Sequence, residues 1–328
     1  MKISILGGSG FVGTNLSQLF SEKNMSFEIF DLKKSELFPE NSIVGNICSP
    51  ADLEKISKPR ILINLAAVHR DDVSPKSLYD EVNIYGSKNI CDYAKKNEIN
   101  HIIFTSSVAI YGFADPDTDE NGEINYFNDY GRTKYLAEQE YIKWYQENPE
   151  ERSLTIIRPT VIFGEGNRGN VYNLLKQIRS KKFVMFGNGK NEKSMAYIKN
   201  LVAFIDYSIN FEQGIHIYNY IDKPDMSMND LVLFVRKKLF NKNNIGLRLP
   251  RSLGLFIGLV ADLFSKIINI NLPVSHIRVK KFLSTTKFSS SINNTSFIAP
   301  HSLEDGLEKT IRYEFLENNK DKITFETE

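Results

Sequence analysis

A glycine-rich loop near the N-terminus is the feature that most restricts the fold of this chain. The stretch ILGGSGFVG, residues 5–13, joins an apolar β-branched run to an amphipathic helical pattern. Gly7, Gly10 and Gly13 form a GxxGxxG motif that overlaps a GxGxxG motif. Glycine at such positions lets the backbone turn tightly and approach a pyrophosphate at the N-terminus of the helix. Strand, loop and helix in this order predict a dinucleotide-binding unit.

Strand-like and helix-like patterns alternate through the first half of the chain. The strand-like runs are 2–6, 27–30, 61–67, 101–107 and 154–159, and the helical patterns are 11–23, 82–97 and 131–147. This alternation predicts an α/β fold, a Rossmann-type doubly wound parallel sheet with helices on both faces. The irregular second half predicts a smaller C-terminal substrate-binding lobe. We expect a dinucleotide-binding domain at 1–163 and a substrate domain at 164–328, with a segment near 196–221 crossing back to the main sheet.

Composition and charge exclude several functional classes. The chain is 41% hydrophobic and 25% charged, which is typical of a globular protein. Its net charge of +1 predicts no nucleic-acid partner. The two cysteines are far apart and the five histidines lack ligand spacing, so we expect neither a disulfide framework nor a metal site. A strand-like N-terminus without room for a signal peptide predicts a cytoplasmic protein.

The end of the second strand-like run favours NAD as the cofactor. Asp31 stands there, and a carboxylate in this place accepts hydrogen bonds from the adenosine ribose and disfavours a 2′-phosphate. Lys33 and Lys34 follow closely, and their positive charges would weaken the discrimination against NADP.

A tyrosine and a lysine at helical spacing predict proton-transfer chemistry. Tyr130 and Lys134 form a YxxxK motif, and an i,i+4 pair shares one face of a helix. A neighbouring ammonium favours the phenolate and so lowers the pKa of a tyrosine. Ser107, at the end of the run 101–107, is expected to face the same cleft and to donate a hydrogen bond to the substrate. The alternative interpretation is a surface aromatic residue and a satisfied strand-end hydroxyl.

Together with NLAA (64–67) and RPT (158–160), these motifs resemble the extended short-chain dehydrogenase/reductase family, which includes NAD-dependent epimerases, dehydratases and keto-sugar reductases. The resemblance implies that Ser107, Tyr130 and Lys134 are catalytic. It implies a set of NAD-binding residues, namely Gly7, Gly10, Phe11, Val12, Gly13, Asp31, Asn46, Ile47, Leu65, Ala66, Ala67, Ser106, Tyr130 and Lys134.

The residues after Ser107 narrow the reaction. Dehydratases of the family carry an Asp–Glu pair there, whereas this chain has Val108 and Ala109, which leaves epimerisation or reduction. Four longer stretches (65–83, 152–178, 219–225 and 278–288) resemble the family's epimerases that act on N-acetylglucosamine linked to undecaprenyl diphosphate. This resemblance implies a 4-epimerase that forms N-acetylgalactosamine on the lipid carrier, for O-antigen synthesis. An NAD(P)H-dependent 4-keto-sugar reductase, a UDP-sugar 4-epimerase and a non-catalytic NAD sensor remain alternatives.

Five residues are candidates for binding the lipid-linked amino sugar. The resemblance implies roles for Asn170 and Arg278, and Lys193 is a further candidate for the diphosphate. His69 and Arg70 follow NLAA and are expected to face the cleft. For each residue, a solvated surface position is the alternative. The family also makes a homodimer a reasonable expectation.

The most apolar stretch, 252–270, is interrupted by Asp262 and Lys266, so a membrane span is not expected. As a helix it would present a broad apolar face, whose residues are Leu255, Phe256, Leu259, Val260, Leu263, Phe264 and Ile267. Basic residues flank this face, and that combination is typical of interfacial helices. We therefore expect peripheral contact with the inner face of the bacterial inner membrane through 252–270. A core helix or a dimer contact is the alternative.

Overall fold

The computed structural model describes residues 2–70, 73–268, 276–318 and 323–326. The strands are β1 (Lys2–Leu6), β2 (Ser26–Asp31), β3 (Ser42–Val44), β4 (Ile61–Asn64), β5 (His101–Thr105), β6 (Ser153–Pro159), β7 (Val161–Phe163), β8 (Met185–Phe186), β9 (Glu192–Tyr197), β10 (Gly214–Tyr220), β11 (Asp222–Ser227) and β12 (Arg248–Leu249). The α-helices are α1 (Phe11–Glu22), α2 (Pro50–Leu53), α3 (Ser77–Tyr79), α4 (Gly86–Lys96), α5 (Asp129–Gln146), α6 (Asn170–Arg179), α7 (Ile198–Ser208), α8 (Met228–Phe240), α9 (Arg251–Ile268), α10 (His276–Leu283) and α11 (Leu303–Ile311). Single 3₁₀ turns cover Pro39–Asn41, Val108–Tyr111 and Ser291–Asn294, and π-helical turns cover Asp80–Tyr85 and Arg312–Leu316.

A seven-stranded parallel sheet forms the centre of the molecule, with the strand order β10-β6-β5-β4-β1-β2-β3. The doubly wound α/β fold predicted from the alternation of patterns is therefore confirmed. The predicted strands 61–67 and 101–107 end early, at Asn64 and Thr105. Residues 65–67 and 106–107 are consequently loops at the carboxyl edge of the sheet, where ligands bind in folds of this kind.

The central strands are buried on both faces, because successive side chains point to opposite sides of a sheet. Ile3 and Ile5 pack into one core with residues of α1 and α7. Leu6 and Phe104 pack into the other core with residues of α4 and α5. Packing on both faces of the sheet fixes the positions of the strand ends, and therefore also the positions at which the following loops begin.

The second half of the chain builds two small sheets and returns one strand to the large sheet. β9 lies between β7, which is parallel to it, and β11, which is antiparallel. β8 and β12 pair in parallel. β10 pairs with β6 along its full length, from Gly214 opposite Ser153 to Tyr220 opposite Pro159. The division of the chain at residue 163 stays a prediction.

The apolar stretch near the C-terminus forms α9, which packs against α10 and β8. Gly254 lies so close to Phe186 that an added Cβ would be 2.7 Å from the ring. Leu255 and Val260 are partly buried, so the described exposed face differs from the predicted one and consists of Leu253, Phe256, Ile257 and Leu259. The side chains of 261 and 263–268, and residues 269–275, lie outside the described part. Within the described part, no helix combines the length and apolarity that a membrane span requires.

Candidate active site

Two glycines of the loop are required by packing within the protein itself. Gly7 has a φ of +76°, and a Cβ there would lie 2.6 Å from the backbone nitrogen of Ala66. Gly13 packs on Gly8, where a Cβ would lie 2.4 Å from Cα. The approach of Gly13 to Gly8 holds the first turn of α1 against the loop that follows β1, and the approach of Gly7 to Ala66 sets that loop beside the residues after β4.

Gly10 has a different environment, which fits a bound dinucleotide. It is exposed, its φ is −80°, and an added Cβ would meet only the carbonyl oxygen of Gly7, at 3.4 Å. It is the N-cap of α1, and it supplies no side-chain cap to the helix. The backbone N–H groups at Phe11, Val12 and Gly13 are at the positive end of the helix dipole, where a diphosphate is stabilised. The open space at Gly10 is the cradle such a group requires.

The predicted ribose and adenine contacts lie beside this loop. The Asp31 carboxylate accepts hydrogen bonds from the backbone nitrogens of Ser9 (2.9 Å) and Leu32 (2.7 Å). Each carboxylate oxygen retains a further lone pair, so ribose hydroxyls can still donate to it. Asn46 is exposed after β3, whereas the side chain of Ile47 is buried. An adenine contact at 46–47 would therefore involve Asn46 and the backbone.

The loop after β4 is held in place by its own hydrogen bonds. Asn64 Oδ1 accepts from Ala66, and the backbone nitrogen of Leu65 donates to Leu6. Asn83 both donates to and accepts from the backbone of Val68. Leu65, Ala66 and Ala67 are partly buried there and face the glycine loop through the contact at Gly7. No motif in the sequence marks Asn83, which holds this loop, as a functional residue.

Two hydroxyl groups at the carboxyl end of β5 have no hydrogen-bond partner among the described residues. They are Thr105 Oγ1 and Ser106 Oγ, and both are buried. A buried hydroxyl without a partner costs free energy, so this pair points to a polar ligand at the end of the strand. Ser107 Oγ instead accepts from the backbone nitrogen of Ala109 (3.1 Å) and caps the following 3₁₀ turn. The unpartnered pair fits the predicted cofactor contact at Ser106.

Tyr130 lies in the first turn of α5, hydrogen-bonded to Ser107. The helix starts at Asp129 because Asn128 accepts from the backbone nitrogen of Gly131 at 2.9 Å. Burial raises the pKa of Tyr130, and the hydrogen bond from Ser107 opposes that rise. In the absence of a ligand the tyrosine is therefore a neutral phenol.

Lys134 lies one turn further along α5 and is almost completely buried. Its ammonium donates a hydrogen bond to the carbonyl oxygen of Thr105 and lies 4.3 Å from the centroid of the Phe104 ring. Burial lowers the pKa of Lys134 to about 7, against the opposing effect of Glu138. The sequence predicted that this lysine would lower the pKa of the tyrosine. In the ligand-free protein, burial raises the pKa of Tyr130, and the group that opposes this rise is Ser107 rather than Lys134.

A buried ion pair connects α5 to the central sheet. The guanidinium of Arg158, in β6, donates to both carboxylate oxygens of Glu138 at 2.9 and 2.7 Å. It also donates to the Tyr111 hydroxyl (2.6 Å), which in turn donates to Asn219 in β10 (2.9 Å). In the sequence, Arg158 stands out only as part of a family motif, and this network was not predicted. The available signal was a single charged residue in a strand that is otherwise uncharged and fully buried.

The predicted substrate residues lie on different elements of the fold. His69 and Arg70 are exposed in the loop after β4, and Asn170 is the exposed first residue of α6. Lys193 is directed towards the C-terminal end of α10, where it donates to the carbonyl oxygens of Lys281 (2.9 Å) and Ser284 (2.6 Å). Burial lowers the pKa of Lys193 to about 8. Arg278 falls in α10, but its side chain lies outside the described part.

Comparison with known proteins identifies the family of this chain. Residues 3–220 match the model of the NAD dependent epimerase/dehydratase family. An N-acetyl-alpha-D-glucosaminyl-diphospho-ditrans,octacis-undecaprenol 4-epimerase of Escherichia coli O157:H7 is 46% identical over 334 residues, which cover 100% of this chain and 99% of that protein.

Solved structures resemble the whole fold. MoeE5 in complex with UDP-glucose and NAD superposes with a TM-score of 0.74 at 16% identity, covering 95% of this chain and 98% of that one. UDP-glucose 4-epimerase from Thermotoga maritima with UDP-glucose gives 0.73 at 17% identity, with the same coverage. At these identities the likeness concerns the fold.

Proposed function

Because the chain belongs to the NAD-dependent epimerase/dehydratase family, we propose that it interconverts N-acetylglucosamine and N-acetylgalactosamine on an undecaprenyl-diphosphate carrier. The protein is thus an isomerase that uses NAD and inverts one carbon, C4. The observation that carries this proposal is the 46% identity along the full length to an epimerase named for that lipid-linked sugar.

The residues at the carboxyl edge of the central sheet have two roles in this proposal: some bind the cofactor, and others transfer a proton. The groups that would hold the dinucleotide are the N-terminus of α1 at Gly10, the Asp31 carboxylate, Ser106 and Lys134. Their support is the open N-terminus of α1, the position of the Asp31 carboxylate beside Ser9, the unpartnered Ser106 hydroxyl and the position of Lys134 at the end of β5. NAD, when bound, supplies a reversible acceptor for the hydride of C4. The overall reaction would gain or lose neither electrons nor atoms, because substrate and product differ only in the configuration at C4.

Tyr130 carries the proton in this scheme. Its phenolate oxygen takes the proton of the 4-hydroxyl as the C4–H bond breaks, and it returns the proton when the bond re-forms. Ser107, hydrogen-bonded to Tyr130, orients both the phenol and the sugar oxygen. Burial alone favours the neutral phenol, so the step requires positive charge beside it. The protonated form of Lys134 and the oxidised nicotinamide are the sources of that charge.

The membrane location follows from the substrate, since an undecaprenyl chain stays in a bilayer. We propose that the enzyme is peripheral on the inner face of the bacterial inner membrane. The exposed apolar face of α9, flanked by Arg248 and Arg251, supports this placement. The product would enter the assembly of O-antigen or another surface polysaccharide. A homodimer stays a prediction.

A side-by-side substrate comparison tests the proposal. Purified enzyme without added nucleotide is offered N-acetylglucosaminyl-diphospho-undecaprenol in detergent and, separately, UDP-N-acetylglucosamine, and the configuration at C4 is read by NMR. We expect the lipid-linked sugar to reach a mixture of both epimers. Conversion of the UDP-sugar alone would contradict the carrier assignment. In a parallel assay with added NADPH and a 4-keto sugar, stoichiometric oxidation of NADPH would identify a reductase.

A further inference from the structure

An exposed aromatic pair and two lysines form a cluster that none of the assignments above uses. The rings of Phe113 and Phe127 lie 4.9 Å apart between centroids, and each side chain is 43% exposed. The Lys280 ammonium is 4.9 Å from the centroid of Phe113, and the Lys281 ammonium is 5.0 Å from that of Phe127. We call these four residues the aromatic–lysine cluster. It presents two positive charges directly above exposed apolar area.

The cluster adjoins the catalytic residues through the chain that carries its two rings. Phe127 precedes Asn128, which caps α5 two residues before Tyr130. A Cβ on Gly131 would lie 3.0 Å from Cβ of Tyr126, so the loop packs directly on the first turn of α5. Phe113 follows the 3₁₀ turn that Ser107 caps. The rings are therefore attached on both sides to residues that handle the sugar.

The lysines reach the cluster because the end of α10 is anchored. Lys193 donates from β9 to the carbonyl oxygens of Lys281 and Ser284, and Asn191 donates to Phe282 (2.8 Å). These bonds tie α10 to the small sheet of the substrate lobe. Lys193, which the sequence offers as a candidate diphosphate ligand, thus also fixes the segment that carries two other lysines.

We propose that the aromatic–lysine cluster binds the diphosphate and the first isoprene units of the lipid-linked substrate. The assignment rests on the proposed function and extends it to the carrier. A diphosphate diester carries two negative charges, which the two ammonium groups match, and the chain that follows it is apolar from its first carbon. The rings offer that chain exposed apolar surface beside the charges. The alternative occupant of the cluster is the headgroup of an anionic membrane lipid.

Two soluble substrates separate the contributions of rings and charges. Both are diphosphate diesters of N-acetylglucosamine, one with a farnesyl group and one with a methyl group. In Phe113→Ala/Phe127→Ala we expect KM for the farnesyl ester to rise about tenfold, because apolar contact with the chain is lost. KM for the methyl ester and kcat for both should stay unchanged. Phe113→Leu/Phe127→Leu keeps apolar area and should restore most of the affinity for the farnesyl ester.

Neutralising the lysines should affect both esters. In Lys280→Gln/Lys281→Gln we expect KM to rise about tenfold for the farnesyl and the methyl ester alike, since both carry the diphosphate. The matched control is Lys181→Gln, which removes a lysine 5.7 Å from the centroid of another aromatic ring, that of Phe240. This control should leave both KM values unchanged.

Three results would overturn the assignment. The first is an equal rise in KM for both esters in the double alanine variant, which would mean that the rings only support the site. The second is weaker sedimentation of the lysine variant with anionic vesicles at unchanged KM, which would identify a membrane contact. The third is wild-type enzyme that converts the undecaprenyl-linked sugar but neither ester, which would mean that the diphosphate and the first isoprene units are not what the enzyme recognises. Failure with the undecaprenyl-linked sugar as well would refute the proposed function itself.

Discussion

At the scale of single residues, the proposed chemistry depends on the Tyr130 hydroxyl. Tyr130→Phe removes the proton carrier and keeps the ring that packs in the first turn of α5. We expect kcat to fall about 10²- to 10⁴-fold, while NAD stays bound, because the phenol oxygen is the only group lost. Turnover assays and release of nucleotide on denaturation measure the two quantities. A variant with turnover near that of the wild type would contradict the assignment.

The burial of Lys134 has a consequence for stability that depends on pH. Its pKa is about 7 in the folded protein and near the ordinary value of 10.5 when unfolded, so the unfolded chain binds more protons between these values. The free energy of unfolding of the NAD-free wild type should therefore rise with pH in this window. Relative to Lys134→Met, which cannot titrate, we expect a gain of about 2–4 kcal/mol between pH 7 and pH 10.

Urea titrations of both proteins at the two pH values measure this difference. If the difference in free energy of unfolding between the two proteins were the same at pH 7 and pH 10, the lysine would keep its proton in the folded state. Activity should be lost in Lys134→Met at either pH.

Two loop glycines should respond oppositely to the same substitution. Gly13→Ala places a methyl group 2.4 Å from Cα of Gly8, so the NAD-free protein should lose stability and unfold at lower denaturant concentration. Gly10→Ala meets open space, so its stability should change by less than about 1 kcal/mol. The methyl group of Gly10→Ala would nevertheless occupy the cradle and weaken NAD binding, measured by fluorescence titration. Unaltered affinity would remove the diphosphate from this position.

At the scale of elements, the position of α5 depends on the ion pair between Glu138 and Arg158. Both side chains are buried, so removing the carboxylate leaves an unpaired charge in the core. We expect Glu138→Ala to lower the free energy of unfolding by about 3–5 kcal/mol. Glu140→Ala is the matched control, because Glu140 pairs with exposed Lys143 and such pairs contribute about 0–1 kcal/mol. Similar losses in both variants would contradict this account.

At the scale of the whole molecule, contact with a bilayer should depend on the exposed face of α9. Phe256 and Leu259 are 61% and 55% exposed. We expect Phe256→Asp/Leu259→Asp to sediment several-fold less with anionic vesicles than the wild type, because charge at these positions opposes insertion. Ile298→Asp/Leu316→Asp, at exposed apolar positions elsewhere, is the control and should sediment like the wild type. Equal sedimentation of all three proteins would place the membrane contact on another surface.

The local patterns of the chain were enough to predict the main sheet, the glycine loop and the placement of the tyrosine and lysine on one helix. Each of these rests on residues close together in the sequence, such as the three glycines before α1 or Tyr130 and Lys134 one turn apart. Burial on both faces of a parallel sheet produces continuous apolar runs in the sequence, and the helical repeat produces apolar residues spaced by about 3.6 positions. The fold class could be read in this way without any long-range information.

Only the tertiary structure decided what surrounds these residues. The Arg158–Glu138 pair, the bracing of a loop by Asn83 and the anchoring of α10 by Lys193 all join residues that are distant in sequence. Packing sets their burial and their partners, and therefore sets pKa values such as that of Lys134. A sequence pattern records which groups are present and how closely they follow one another. The charge that each group carries depends on the dielectric and the partners that the folded chain assembles around it.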